Sequence, residues 1–374
     1  FSEYQTKLPA AIPAGQGPDL FFIKWSFHPT LVTGGMVEAL PEDLFPPAVL
    51  SEWFDAFPMN AGPEGKAYWL PCGIMSGGIV RNLDLWEEAG LTDDDVPKTW
   101  DELVEVAKKL TKKDSAGRIE QAGLDINGAI GSTLGYLIYQ QGVWAFNKSY
   151  TRPLYDRPET RKALQYFLDL YDKHQVCDRN FLSWMEGFGT GKAAMVFAWS
   201  WYSGYLRVNN PDIRFAYSAC PTWTGKFEPC VGPGALDPES FAVPKTTKPE
   251  RKKVAFDVLL WLFSQDDFLV EHIMTAGTPP GAKQIANRPE VLGNQTIQAL
   301  LPQTPYVIAM LGAPPLLGDV ENKYLYEGIF QAGMSIDEAL RSAQEEGERI
   351  MQEGTWTINE RLYKFAHLMQ PPVD

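Results

Sequence analysis

Apolar positions along the chain follow two rhythms. Short uninterrupted runs at Leu20–Ile23 and Ala193–Ala198 predict buried strands, because a run of that length with no polar alternation suits a sheet covered on both faces, and further strands are expected at Arg214–Ala219 and Ser240–Val243. Between them lie stripes at helical spacing. Thr99 and Glu102 form a capping box, and Trp100, Leu103, Ala107 and Leu110 trace one face to Lys113. Pro158 opens an amphipathic helix through His174, with Ala163, Leu164, Phe167, Leu168 and Tyr171 inward. Further helices are expected over Tyr4–Ala14, Pro249–Ser264, Asp267–Thr275, Asn322–Phe330 and Ser335–Met351, the last with Ser335 and Glu338 as its capping box. Thr33–Leu40 reads as a short helix or turn, and Gly65–Pro71 as a hairpin-and-strand unit. Helices and short strands alternate throughout, the pattern of parallel α/β sheets. Gly73–Gly78 reads as a flexible connection into a strand at Ile79–Asn82, and a second glycine-rich crossing lies at 231–235. The two crossings split the chain into interleaved blocks, which predicts two α/β lobes joined by more than one strand, with a cleft between. No internal repeat stands out.

One stretch, Glu186–Tyr202, organises the rest. It reads as a helix end, a glycine turn at Gly189 and Gly191, and a buried strand that delivers Trp199 and Trp201 at its carboxyl end. Ligands of open α/β sheets lie outside the carboxyl ends of strands, so this pair is a site candidate. Gly-Thr-Gly-Lys at 189–192 is not a phosphate loop. Glu186 stands where the first glycine belongs, Ala193 replaces the metal-binding hydroxyl, and the turn precedes a strand instead of opening a helix.

Composition narrows the classes. The chain has 374 residues, 45% hydrophobic, enough for two domains with sizeable cores. A net charge of −14 leaves no basic face for tracking phosphates, so nucleic acid is excluded as a partner. No run approaches the ~18 apolar residues of a membrane span, and the first residues carry no basic leader region followed by an apolar one. Cys72, Cys177, Cys220 and Cys230 form no Cys-x-x-Cys pair, and the four histidines have no metal spacing, so neither a metal nor another cofactor is expected. Cys220 and Cys230 flank a segment that can fold back, a candidate disulfide. Twelve Trp, fifteen Tyr and twenty Phe are explained by core packing or by a site built on flat ring faces.

Five segments in order carry a family resemblance: Gly15–Phe22, Gly34–Leu40, Pro97–Leu103, Phe188–Met195 and Ser335–Leu340. Together they resemble the extracellular solute-binding proteins, family 1, of bacterial ABC importers, the group that includes maltose-binding protein. The resemblance implies an α/β, two-lobe periplasmic-binding-protein fold, with a small-molecule carbohydrate closed between the lobes and delivered to a membrane permease. It implies an extracytoplasmic monomer, periplasmic or lipid-anchored, without enzymatic activity. The lobes are expected over 1–75 with 236–305 and over 79–230 with 306–374, with the crossings near 73–78 and 231–235. Carried over position by position, ligand contacts fall at Trp25, Ser26, Phe27, Met75, Ser76, Ser132, Trp199, Trp201, Gly232, Gly234 and Asp319. Trp201 matches the family's sugar-stacking tryptophan, whereas Trp199 stands where many members have glycine. The family's first strand, helix and strand have no counterpart before Tyr4, which predicts an incomplete N-terminal lobe sheet.

Each aromatic also has a packing reading. Trp53, Trp69, Trp100 and Trp261 sit on stripes or strands and are expected in the core, while Trp144, Trp184 and Trp223 are open. Ring faces suit a sugar because its C–H face is apolar while its hydroxyls take polar partners at the rim. A phosphorylated ligand such as glycerol phosphate calls for arginine clamps, and none of the mapped positions is arginine. The other readings are a glycoside-processing enzyme or a lectin-like surface module. The first needs two carboxylates at a set separation, which forty-seven Asp and Glu supply by chance, and no Gly-x-Ser-x-Gly elbow is present.

Overall fold

The computed structural model describes residues 2–23, 27–53, 66–70, 72–236, 240–311, 313–354, 356, 358–362, 366–371 and 373. The chain opens with helix α1 (Ser2–Ala11) and strand β1 (Phe21–Ile23), then a wide helical turn at His28–Thr33 where a helix or turn was expected slightly later. Helix α2 (Pro47–Trp53) follows. Residues 66–70 form no strand, so the hairpin expected over Gly65–Pro71 is absent from its described part.

Strand β2 (Ile74–Asn82) is the centre of the molecule, followed by helices α3 (Leu83–Glu88) and α4 (Trp100–Leu110). Asn82 ends the strand and caps α3, its Oδ1 accepting from the Asp84 and Leu85 amides. At α4, Thr99 Oγ1 accepts from the Glu102 amide at 3.1 Å and Glu102 returns the bond to the Thr99 amide at 3.1 Å. That reciprocal cap satisfies orphan donors and fixes where the helix starts. A small hairpin, β3 (Lys112–Lys113) and β4 (Ile119–Gln121), leads to helices α5 (Ile130–Tyr139), α6 (Pro158–Asp172) and α7 (Trp184–Gly189). Strand β5 (Met195–Trp199), helix α8 (Tyr202–Asn209), and strands β6 (Phe215–Ala219), β7 (Gly232–Leu236) and β8 (Ser240–Ala242) come next. Helices α9 (Pro249–Phe263), α10 (Asp266–Ala276), α11 (Pro289–Leu292) and α12 (Gln295–Leu300) precede β9 (Val307–Leu311). Helix α13 (Pro315–Val320) runs directly into a wide helical segment at Glu321–Gln331. Helix α14 (Ile336–Glu353), capped by Ser335 Oγ on the Glu338 amide at 3.2 Å, and strand β10 (Asn359–Leu362) complete the order.

The main sheet is mixed and mostly antiparallel, which differs from the parallel sheet the alternation predicted. Strand β2 pairs antiparallel with β5 over 77–81, with β6 over 78–82 and with β7 over 74–76. Only β7 with β9 is a parallel strand pair among the described residues, although parallel bridges Ala122↔Ala193 and Asp125↔Val196 extend the sheet beyond β5. Alternating helices and strands mark an α/β fold without fixing strand direction when strands enter one sheet from two crossings.

The segment 73–78 is also firmer than a flexible connection. A Cβ on Gly77 would stand 2.4 Å from the Phe197 ring, and one on Gly78 would stand 2.3 Å from the Ser218 carbonyl. These glycines serve close approach between neighbouring strands, not slack.

The larger hydrophobic core joins β2, β5 and α4–α8 with α13 and α14, and includes Trp100, Phe167, Phe197 and Leu340. Smaller cores among the described residues include one around Leu50, Cys72, Phe256, Phe263 and Ile273, one around Ile12, Ile23, Phe27 and Trp69, and a minor one of Tyr139, Cys230, Ile308 and Met369. Trp69 and Trp100 are core residues as expected, but Trp261 is exposed on α9. Cys220 and Cys230 are buried and not bonded to each other, so the candidate disulfide is not formed. Each turns to a backbone carbonyl instead, Cys220 Sγ donating to Pro221 at 3.2 Å and Cys230 Sγ facing Gly232 at 4.0 Å.

Candidate functional site

The site grows out of the turn between α7 and β5. Helix α7 ends at Gly189, and Gly191 takes a positive φ of 71° to reverse the chain into β5. The first four residues of β5 are buried, and Trp199 at its end is half-buried, edge-on to Tyr136 with ring centroids 5.9 Å apart. Its carbonyl accepts from the Tyr217 hydroxyl at 3.0 Å. Ser200 then anchors the chain, its amide donating to the Ser76 carbonyl at 3.0 Å and its hydroxyl 3.1 Å from that of Thr278. With Ser200 pinned inward, Trp201 is carried outward at the start of α8, and it is 37% exposed.

Trp201 is held edge-on. Its ring lies 6.3 Å from Trp184 and 5.9 Å from Tyr202, and Trp184 and Tyr202 meet at 4.7 Å, all T-shaped. Such contacts add about 0.5–1.5 kcal/mol each beyond area burial and fix ring orientation. Trp184 is itself placed by its amide, which donates to Asn127 O at 3.0 Å, and its Cδ1 lies 3.6 Å from where a Gly128 Cβ would be.

Gly128 is the edge of a pocket of about 260 Å³. Gly128, Ile130, Gly131 and Leu134 form one wall, and Glu321, Asn322 and Tyr326 form the other. No lysine or arginine lines it, and Glu321, which accepts from the Tyr155 hydroxyl at 3.0 Å, is its carboxylate. Asp125 and Asn127 precede Gly128 in the chain. Asp125 Oδ1 accepts from the Asn127 amide at 3.0 Å and the Cys177 thiol at 3.5 Å, while its Oδ2 has no partner among the described residues. Burial pushes the Asp125 carboxyl up to about 6. Asn127 in turn accepts from the Tyr171 hydroxyl at 2.6 Å.

A larger concavity, about 670 Å³, lies between α4 and α6 under the charged side chains Asp101, Glu105, Lys109, Lys173 and His174. None of the sequence-derived site residues lines it. The smaller pocket is therefore the candidate, because Gly128 in its lining lies against Trp184, the ring packed on Trp201, and because Gly131 and Gly318 in its lining are next to Ser132 and Asp319, which the sequence singled out.

The sequence-derived residues separate into three groups. Trp201 and Trp199 stand at the aromatic end, and Ser132 and Asp319 are exposed neighbours of the pocket-lining Gly131 and Gly318. Met75 is half-buried in β2, whereas Ser76 is fully buried, its hydroxyl accepting from Gln303 Nε2 at 2.8 Å. Gly232 and Gly234 are packing positions, where added Cβ atoms would stand 2.4 Å from Tyr136 and 2.6 Å from Val307. Phe27 is buried against Tyr4 at 5.9 Å in the core nearest the N-terminus. Trp25 and Ser26 lie outside the described residues. Sequence reasoning left Trp184 open and missed Glu321, Asn322 and Tyr326.

Comparison with known proteins finds relatives in sequence and in fold. A family described as bacterial extracellular solute-binding protein matches residues 1–267. The maltotriose-binding protein of Pyrococcus abyssi (strain GE5 / Orsay) is 23% identical over 327 residues, covering 83% of this chain and 67% of that protein. An ABC transporter solute-binding protein from Thermotoga lettingae TMO, solved with alpha-D-tagatose, superposes with a TM-score of 0.75 at 22% identity, covering 94% of this chain and 89% of that one. The maltose/maltodextrin-binding domain MalE from Bdellovibrio bacteriovorus, solved with maltotriose, gives 0.75 at 20% identity over the same shares, 94% and 89%. These likenesses establish the two-lobe solute-binding fold.

Proposed function

The chain belongs to the bacterial extracellular solute-binding proteins, and we propose that it closes two lobes around a neutral saccharide and delivers it to the permease of an ABC importer. It is a binding protein, not an enzyme. The observation that carries the saccharide reading is an exposed, edge-held Trp201 linked through Trp184 to Gly128, in the lining of a small pocket that no lysine or arginine lines. An aromatic face covers the apolar side of a sugar ring, while Asn322, Glu321 and the exposed Ser132 and Asp319 offer rim partners for hydroxyls. The maltotriose-binding relative and the tagatose- and maltotriose-bound neighbours support the same ligand class.

The lobes are assigned to 1–75 with 236–305 and to 79–230 with 306–374, a division that the separate cores support. Leu300 packs with the larger core, so α12 sits at the seam. Delivery requires closure, and a ligand shifts the open–closed balance only by its differential affinity for the closed state. The protein works outside the cytoplasm as a monomer; among the described residues no helix is long and apolar enough to cross a membrane.

Calorimetric titration with a panel of mono- and oligosaccharides, and with glycerol 3-phosphate, tests the reading. Saturable binding of a neutral sugar with Trp fluorescence change and no turnover is expected. Tight binding of glycerol 3-phosphate with no response to any sugar would overturn it.

A further inference from the structure

The two walls of the small pocket are joined by side chains that do not line it. Gly128, on one wall, takes a positive φ of 83° directly after Asn127, so its place follows from how Asn127 is held. Asn127 is bonded at every polar atom. Its amide donates to Asp125 Oδ1 at 3.0 Å, and its carbonyl accepts from the Trp184 amide at 3.0 Å. Its Nδ2 donates to the Asp178 carbonyl at 2.8 Å, and its Oδ1 accepts from the Tyr171 hydroxyl at 2.6 Å. That last bond leads to the opposite wall.

Tyr171 is the next-to-last residue of α6 and is buried. Its ring meets Phe330 with centroids 6.1 Å apart, and Phe330 meets Tyr326 at 6.2 Å. Tyr326 stands four residues before Phe330 in the wide helical segment and lines the second wall. Tyr171 therefore reaches the support of one wall through its hydroxyl and that of the other through its ring. It is itself fixed before any ligand arrives. The Arg179 guanidinium lies over its ring at 4.7 Å, held there by Asp172 at 2.6 and 2.8 Å. Burial raises the Tyr171 hydroxyl above its ordinary range, so it stays protonated and donates.

We infer that Tyr171 is a positioning residue for ligand binding: it sets the separation of the two pocket walls, and so how closely a sugar ring is gripped, without touching the ligand. This rests on the saccharide reading above and adds what determines its selectivity. The hydroxyl fixes Gly128 through Asn127, and the ring fixes Tyr326 through Phe330. A site keeps its geometry when the side chains behind it are locked, and slack in that support is lost affinity. In a pocket of about 260 Å³ a small slip of either wall alters which ring substituents fit. A gap of ~0.5–1 Å already forfeits a large part of each contact.

The test is calorimetry on the full chain with glucose, galactose, N-acetylglucosamine, maltose and maltotriose, run well below the melting temperature. Tyr171→Phe removes the hydroxyl and keeps the ring, whereas Phe330→Leu breaks the link at its other end; neither residue lines the pocket. Each is expected to weaken the best-bound sugar at least ~3-fold, the loss of roughly one hydrogen bond or ring contact, with the number of sites per chain unchanged. The affinity ratio between that sugar and the others is expected to shrink, since a slackened pocket loses most where the fit was closest. Dissociation constants and ratios equal to wild type in either variant overturn the inference, even where fewer sites titrate, because that is what a merely structural role gives. Equal losses for every sugar overturn it too. Both results leave the saccharide reading standing. Wild-type protein that binds none of the five at millimolar concentration overturns both.

Discussion

Gln303 Nε2 donates to Ser76 Oγ at 2.8 Å across 227 residues of chain. The same amide donates to the Gly77 carbonyl at 2.9 Å, and its Oε1 accepts from the Cys220 amide at 2.7 Å. A fully buried glutamine thus ties β2 to the end of β6 and to the segment after α12. Gln303→Leu fills the space but leaves the Cys220 donor unpaired, which costs about 1–3 kcal/mol. A lowered midpoint in denaturant unfolding with an unchanged slope is the expected result; a midpoint equal to wild type would show that the amide contributes nothing.

Asp125 makes stability depend on pH in an uncommon direction. Burial raises its carboxyl from 3.8 to about 6, so between those values the folded chain holds more protons than the unfolded one. Stability contributed by this site therefore falls as pH rises from about 4 to 6 and is flat above, a loss of about 3 kcal/mol. Asp125→Asn keeps the acceptor for the Asn127 amide and removes the buried charge. Its unfolding free energy should exceed that of wild type near neutral pH and converge with it near pH 4, measured by urea titration. A constant difference across that range would rule out the carboxyl as its source.

Glycine is required at one crossing and optional at the pocket rim. Gly232 has φ 141° and a hypothetical Cβ 2.4 Å from the Tyr136 ring, whereas a Cβ at Gly131 meets nothing within 4 Å. Gly232→Ala should lower the melting temperature by several degrees, since strain and overpacking together cost a few kcal/mol. Gly131→Ala should melt as wild type does. Parallel thermal scans of the two variants decide this, and equal melting temperatures would contradict it.

Trp201→Ala should weaken saccharide binding at least ~10-fold through loss of one ring face. Because the residue is among the exposed large side chains, little change in melting temperature is expected. Trp184→Ala, which removes the ring that orients Trp201, should weaken binding by a smaller factor. Calorimetry with the best-bound sugar separates the two, and an unchanged affinity in Trp201→Ala would remove it from the site.

Much of the scaffold was legible because local chemistry fixes it. The capping box at Thr99 and Glu102 and the proline starts at Pro158 and Pro249 formed where the pattern placed them, and the buried strand expected over Ala193–Ala198 formed at Met195–Trp199. Strand direction was not legible, since β2 takes partners from segments more than a hundred residues away. The glycines at 77 and 78 read as slack because sequence does not reveal what presses against them, here Phe197 and Ser218. At the site, Trp201 was found from its place at a strand end. Glu321, Asn322 and Tyr326 were not, because they reach the pocket only through the wide turns that continue α13. Trp261 misled, since its stripe on α9 has an apolar residue on the side that faces out.

The unbroken course of β2 has a mechanical consequence. It begins two residues after Cys72, in one of the smaller cores, and runs through Ile79 and Val80 in the larger one, paired along its whole length. A strand bonded to partners along that course is held extended from Ile74 to Asn82, so it ties the smaller core to the larger one without slack.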